Sequence, residues 1–107
     1  MAKALGMIEV YGYTTSIVVA DTVAKAADVK VVAIDKNKPA NADKCEVPLV
    51  MVVKFMGNAG AVQSAHDAGV AEAKRRNLYI TSKVIAGLDE QVTWFAELDA
   101  TGKDKLR

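Results

Sequence analysis

The chain has 107 residues, 51% of them apolar before glycine is counted, and fourteen Lys and Arg against thirteen Asp and Glu leave a formal net charge of +1. That length holds one compact domain and leaves no room for a large catalytic module beside a second one. The near-neutral balance gives no overall field for nucleic acid or anionic membranes. An apolar share above the roughly 45–50% usual even with glycine included excludes intrinsic disorder.

Alanine supplies much of that apolar share; its small side chain permits close packing but adds little area, so the composition points to burial at an interface and hence to a homo-oligomer. The single cysteine, Cys45, excludes an internal disulfide framework and a cysteine-based zinc or iron–sulfur cluster within one chain, and fits a reducing compartment. Residues 1–6 lack the apolar stretch of a secretory signal, and Val47 to Val53 is too short to span a bilayer, so we expect a cytosolic protein.

Ala4 to Tyr11 is mainly apolar and ends at Gly12, which predicts a first strand followed by a turn. Thr15 or Ser16 is placed to cap a first helix in which Ile17, Ala20, Ala24 and Ala27 recur at helical spacing, with Asp21, Lys25 and Asp28 on another side. Three valines and an isoleucine within Val29 to Ile34 predict a second strand, because β-branched side chains favour an extended backbone. From Asp35 to Glu46 the apolar periodicity lapses and Pro39 interrupts pairing, the pattern of a long loop. Val47 to Phe55 resumes strand character, with Pro48 at its entrance.

Asn58 is placed to cap a second helix running to about Arg76, with small-residue stripes through Ala61, Ala65, Ala68 and through Val62, Gly69, Ala73. Asn77 stops it, Tyr79 to Ile85 forms a fourth strand, and a short helix containing Trp94, Phe95 and Leu98 starts at Asp89 or Glu90. The order predicts an α+β fold of split-βαβ, ferredoxin-like type: a four-stranded antiparallel sheet, two main helices on one face and a short C-terminal helix. Residues 1–98 read as one domain and 99–107 as a tail.

The chemistry-bearing residues favour plain readings. His66 is the only histidine. Adjacent helical residues point about 100° apart, so His66 and Asp67 are not expected to act as a pair. Asp21 and Lys25 have the spacing of a helical ion pair. The glycines around Asn58 lack a phosphate-loop ending, and Gly60 and Gly69 are read as sites of close backbone approach. Lys74-Arg75-Arg76 suits a helix C-terminus and has no aromatic platform for nucleic acid. Lys44 beside Cys45 would favour the thiolate if the two are close in space. Trp94, Phe95 and Leu98 read as one packed helix face. No cofactor, metal or catalytic residue is assigned.

Ala4-Leu5-Gly6-Met7-Ile8-Glu9 followed by Gly12, then Ala20-Asp21 and Lys25-Ala26-Ala27-Asp28-Val29, resembles the opening of a bacterial microcompartment hexameric shell protein. Gly57-Asn58, Ala61-Val62, Ala65, Ala68-Gly69 and Ala73 resemble that family's second-helix pattern, so the likeness runs from about Ala4 to Ile85. The resemblance implies a structural protein rather than an enzyme: a homohexamer with a narrow central pore, tiled with neighbouring hexamers and other shell proteins around encapsulated enzymes in the cytoplasm. It implies passive passage of small metabolites and contact with neither nucleic acid nor membrane. Lys25 matches the family's edge lysine, which gives Asp21 and Lys25 a role at the hexamer edge; Lys74 stands where an edge arginine is common, and Arg75 or Arg76 could supply that planar multi-donor contact instead. The pore loop maps to Lys36, Asn37, Lys38, Pro39, Ala40, Asn41, Ala42, Asp43, Lys44, Cys45 and Glu46, longer than the usual turn. Its lysines favour anions if they face the opening, and Asp43 and Glu46 oppose that field. Val84 to Asp89 departs from the family's usual edge segment. The alternatives are an oligomeric small-molecule-binding regulatory protein on the same framework, since fold alone does not specify function, and a cryptic enzyme whose turnover would be lost on changing His66 or Cys45.

Overall fold

The computed structural model describes residues 3–37 and 49–98. Strand β1 (Ala4–Tyr11) leads into helix α1 (Tyr13–Ala26), β2 (Val29–Asn37), β3 (Val50–Gly57), α2 (Ala59–Arg75), β4 (Tyr79–Ile85), a 3-10 turn (Glu90–Val92) and the short helix α3 (Thr93–Ala96). The strands pair antiparallel in the order β2-β3-β1-β4, which confirms the split-βαβ expectation. Consecutive strands β2 and β3 adjoin, while each helix carries the chain across the sheet.

The central strand β1 is covered on both faces. Ala4, Ile8 and Val10 join Val53 and Phe55 of β3, Val19 and Val23 of α1, and Val62 and Ala65 of α2 in the main core. Leu5 points to the opposite face and packs with Leu88 and Ala96, so α3 lies across the sheet from the two long helices. A register shift between Val31 and Ala33 in β2 leaves Val32 as an extra residue on the side of that second cluster and returns Ile34, opposite Val53, to the main core.

Gly12 occupies the N-cap of α1 at φ 92°, a conformation that favours glycine, so neither Thr15 nor Ser16 caps the helix. Both are buried within it, and the Ser16 hydroxyl donates to the Tyr13 carbonyl. The buried stripe is Ser16, Val19, Ala20 and Val23; Ile17 and Ala24, expected inside, face outward. A one-residue error in phase turns a helical face by about 100°.

Asn58 stands at the N-cap of α2, though its side chain makes no capping bond. Val62, Ala65, Gly69 and Ala73 form the predicted small-residue stripe. A Cβ at Gly69 would lie 2.6 Å from Ile8 Cδ1 and 2.8 Å from Val23 Cγ2, so glycine there lets α2 settle against β1 and α1; a Cβ at Gly60 would meet nothing within 4 Å among the described residues of this chain. Asn77 ends the helix at φ 60°, with its N–H donating to the Lys74 carbonyl and the Leu78 N–H to the Ala73 carbonyl, a Schellman arrangement.

Candidate assembly surface

β1 and β3 run antiparallel, and each helix runs back along the strand before it, so α1 and α2 end at opposite ends of the sheet. The two groups expected at an assembly edge are therefore separated. Asp21 Oδ2 lies 2.7 Å from Lys25 Nζ at the end of α1, as the i, i+4 spacing predicts, and the Lys25 side chain remains 77% exposed. Lys25 also sits in the last helical turn, where a cation favours the carbonyl end of the dipole.

At the end of α2 the basic run is organised by an acid that sequence reasoning missed. Glu72 is buried, and its carboxylate accepts from Arg75 Nη2 and, at 2.6 Å, from Arg76 Nε. The i, i+3 and i, i+4 spacings were the available signal. Lys74 leans over the Tyr79 ring, with Nζ 5.2 Å from its centroid. Each arginine spends part of its planar donor set on Glu72, and both side chains remain well exposed, with donors left for an outside acceptor.

Of the expected pore loop, Lys36 and Asn37 belong to β2, which runs three residues past Ile34 and pairs with Met51 and Val50. β3 correspondingly starts at Val50 and continues to Gly57. Lys38, Pro39, Ala40, Asn41, Ala42, Asp43, Lys44, Cys45 and Glu46 lie outside the described residues, so the thiol beside Lys44 does too.

Lys54 carries the least expected arrangement. It stands in an otherwise apolar strand, is 1% exposed, and points to the face away from the long helices. Its ammonium reaches Asp35 Oδ2 at 3.3 Å, the Phe95 carbonyl at 2.8 Å and the Leu98 carbonyl at 3.2 Å. Three donors meet three acceptors, and the Phe95 ring centroid lies 4.1 Å from Nζ. The cation thus closes the C-terminal end of α3 onto the sheet. Leu88 reinforces the closure, its N–H donating to the Lys3 carbonyl at 2.9 Å. Trp94, expected on a packed face with Phe95 and Leu98, is instead 64% exposed, and Leu98 is exposed too; α3 is too short to bury a full stripe, and Ala96 fills the inward position. Between this strap and the sheet lies a concavity of about 370 Å³ lined by Met7, Glu9, Asp35, Lys83 and Phe95, among others.

His66 also departs from expectation. Its Nδ1 lies 2.9 Å from Asp67 Oδ1 and its Nε2 lies 2.8 Å from Ser82 Oγ on β4. Side-chain torsions close the gap that backbone direction opens between neighbours. Hydrogen bonds from His66 first and Gln63 second hold the Asp67 carboxyl below its ordinary range.

Among the described residues, no group of three or more His, Cys, Asp or Glu is placed to hold a metal, and no helix is long and apolar enough to cross a membrane. A split-βαβ sheet with two long helices on one face and a strapped opposite face defines an α+β domain of ferredoxin-like type. The BMC domain model matches residues 4–88, and this chain belongs to that family. It is 34% identical over 86 residues to the bacterial microcompartment shell protein PduK of Citrobacter freundii, covering 80% of this chain and 50% of that protein. It is 39% identical over 72 residues to the shell protein PduA of the same organism, covering 67% of this chain and 68% of that one. A crystal structure of a microcompartment protein from Desulfitobacterium hafniense DCB superposes with a TM-score of 0.72 at 29% identity, covering 88% of this chain and 48% of that chain. The chain spans about half the length of PduK and of the Escherichia coli shell protein EutK. Shell proteins of this family are structural rather than catalytic.

Proposed function

We propose that this chain is a shell subunit that closes into six-membered rings, and that the rings tile edge to edge into the wall of a bacterial microcompartment in the cytoplasm. The family match over residues 4–88 carries the reading. Residues 1–98 act as the shell domain. Asp21 and Lys25 at one end of the helix layer, and Lys74, Arg75 and Arg76 at the other, serve contacts between neighbouring hexamers and other shell proteins. Support comes from their exposure and from the guanidinium donors that Glu72 leaves free. Lys36 to Glu46 line the passage through which small metabolites reach the enclosed enzymes.

Lys25→Ala tests the edge role. The pair it breaks is exposed and contributes no more than about 1 kcal/mol to folding. Rings are therefore expected to persist while sheets become sparse at matched protein and salt concentration. Unchanged sheets would remove Lys25 from the edge. A second reading, an oligomeric small-molecule-binding regulator, draws on the concavity beneath the strap. Discrete oligomers that never form sheets but bind a metabolite saturably would favour it.

A further inference from the structure

Where α2 meets β4, a group of polar side chains is drawn together. His66 Nε2 is 2.8 Å from Ser82 Oγ, and Nδ1 is 2.9 Å from Asp67 Oδ1, which also accepts from Gln63 Nε2 at 2.9 Å. With its carboxyl held below the ordinary range, Asp67 is ionised near neutral pH and acts only as an acceptor, so the proton between the two side chains sits on Nδ1. In the neutral tautomer with its proton on Nδ1, the ring presents Nε2 as an acceptor, to which the Ser82 hydroxyl can donate. The Tyr79 hydroxyl, 2.8 Å from Ser82 Oγ, supplies the remaining hydrogen bond to that oxygen. A hydroxyl bonded to a base, itself oriented by a carboxylate, is the arrangement that activates a serine toward carbonyl carbon.

We propose that Ser82 is a covalent acyl-acceptor site for small activated acyl donors, esters or thioesters, with His66 as its base and Asp67 as the positioning residue. Ser82 Oγ bonds to the acyl carbon while its proton passes to His66 Nε2. The bond to the leaving alkoxide or thiolate then breaks, and that group takes the proton from Nε2. The products are a serine ester and a free alcohol or thiol. One acyl group per chain is the expected stoichiometry, and no turnover is required of a structural protein. Ser82 is partly exposed on an edge strand, which gives a small donor access. The inference does not depend on ring formation.

The test treats the purified full chain with p-nitrophenyl acetate and follows intact mass and peptide fragments. Hydroxylamine removes serine esters and leaves lysine amides. A single hydroxylamine-labile acetyl group on Ser82 is expected, absent from Ser82→Ala. General-base assistance is worth about a hundredfold or more, so His66→Gln should acetylate Ser82 about a hundredfold more slowly. Asp67→Asn alters a side chain 67% exposed, and should fold normally by circular dichroism yet slow acetylation about tenfold or more, because it no longer requires the proton on Nδ1. Acetyl groups confined to lysines, or equal rates on Ser82 in wild type and Asp67→Asn, would overturn the proposal.

Discussion

The two faces of the sheet are held by different physics. Under α1 and α2, Ile8, Val53 and Phe55 interdigitate with Val19, Val23 and Val62, and stability follows apolar area removed from water. On the other face a small cluster around Leu5 is supplemented by one buried ammonium that gathers a carboxylate and two carbonyls. Apolar burial is non-directional and tolerates local error. A buried cation succeeds only if every donor finds its acceptor. The helix face is therefore built for bulk stability, and the strap face for a defined position of the C-terminal segment.

The largest break in this comparison is Phe55→Ala. Truncating a fully buried aromatic ring should cost about 3–5 kcal/mol, read as a lower denaturation midpoint for the whole domain. Lys54→Met, which keeps the volume and removes the charge, should cost about 2 kcal/mol, within the range for hydrogen bonds to a charged group. Its sharper signature is local: amide exchange over residues 92–98 should accelerate, and the fluorescence of Trp94, the only tryptophan, should become more mobile while the helix-face amides stay protected. Equal loss of protection on both faces would erase the distinction. Asn77→Ala should cost about 1 kcal/mol, because alanine resists the left-handed conformation at the end of α2.

The smallest effect concerns pH. Asp67 titrates below its ordinary value of 3.8 in the native state, so its contribution is full above that value and is lost as pH falls through the lowered native one. Urea midpoints between pH 5 and pH 2 should fall slightly less steeply for Asp67→Asn than for wild type, by an amount set by one solvated carboxylate.

Features that depend on periodicity are legible in the sequence. β1 and β4 begin and end where their apolar and β-branched runs do, and the Val62, Ala65, Gly69, Ala73 stripe faces inward as spaced. The departures fall where tertiary contacts decide. α1 starts two residues before Thr15 because a positive-φ glycine caps it, and the face it buries is the one that carries Val19, Ala20 and Val23 onto the core. Trp94 reads as core because aromatic residues usually are, but a four-residue helix has only one inward face to offer. Lys54 escapes notice inside a strand whose other residues read as apolar, since its acceptors lie 19, 41 and 44 positions away. Glu72 is local enough to find, three and four residues before its arginines. Of the expected assembly residues, the pairing of Lys25 with Asp21 follows from i, i+4 spacing alone; a contact between chains is not encoded in the spacing of one.

Negative-stain electron microscopy of the wild-type protein over a concentration series tests the shell reading most directly. Six-subunit discs that associate into sheets or tubes as concentration rises are the expected result; monomers or non-hexameric particles at every concentration would contradict it.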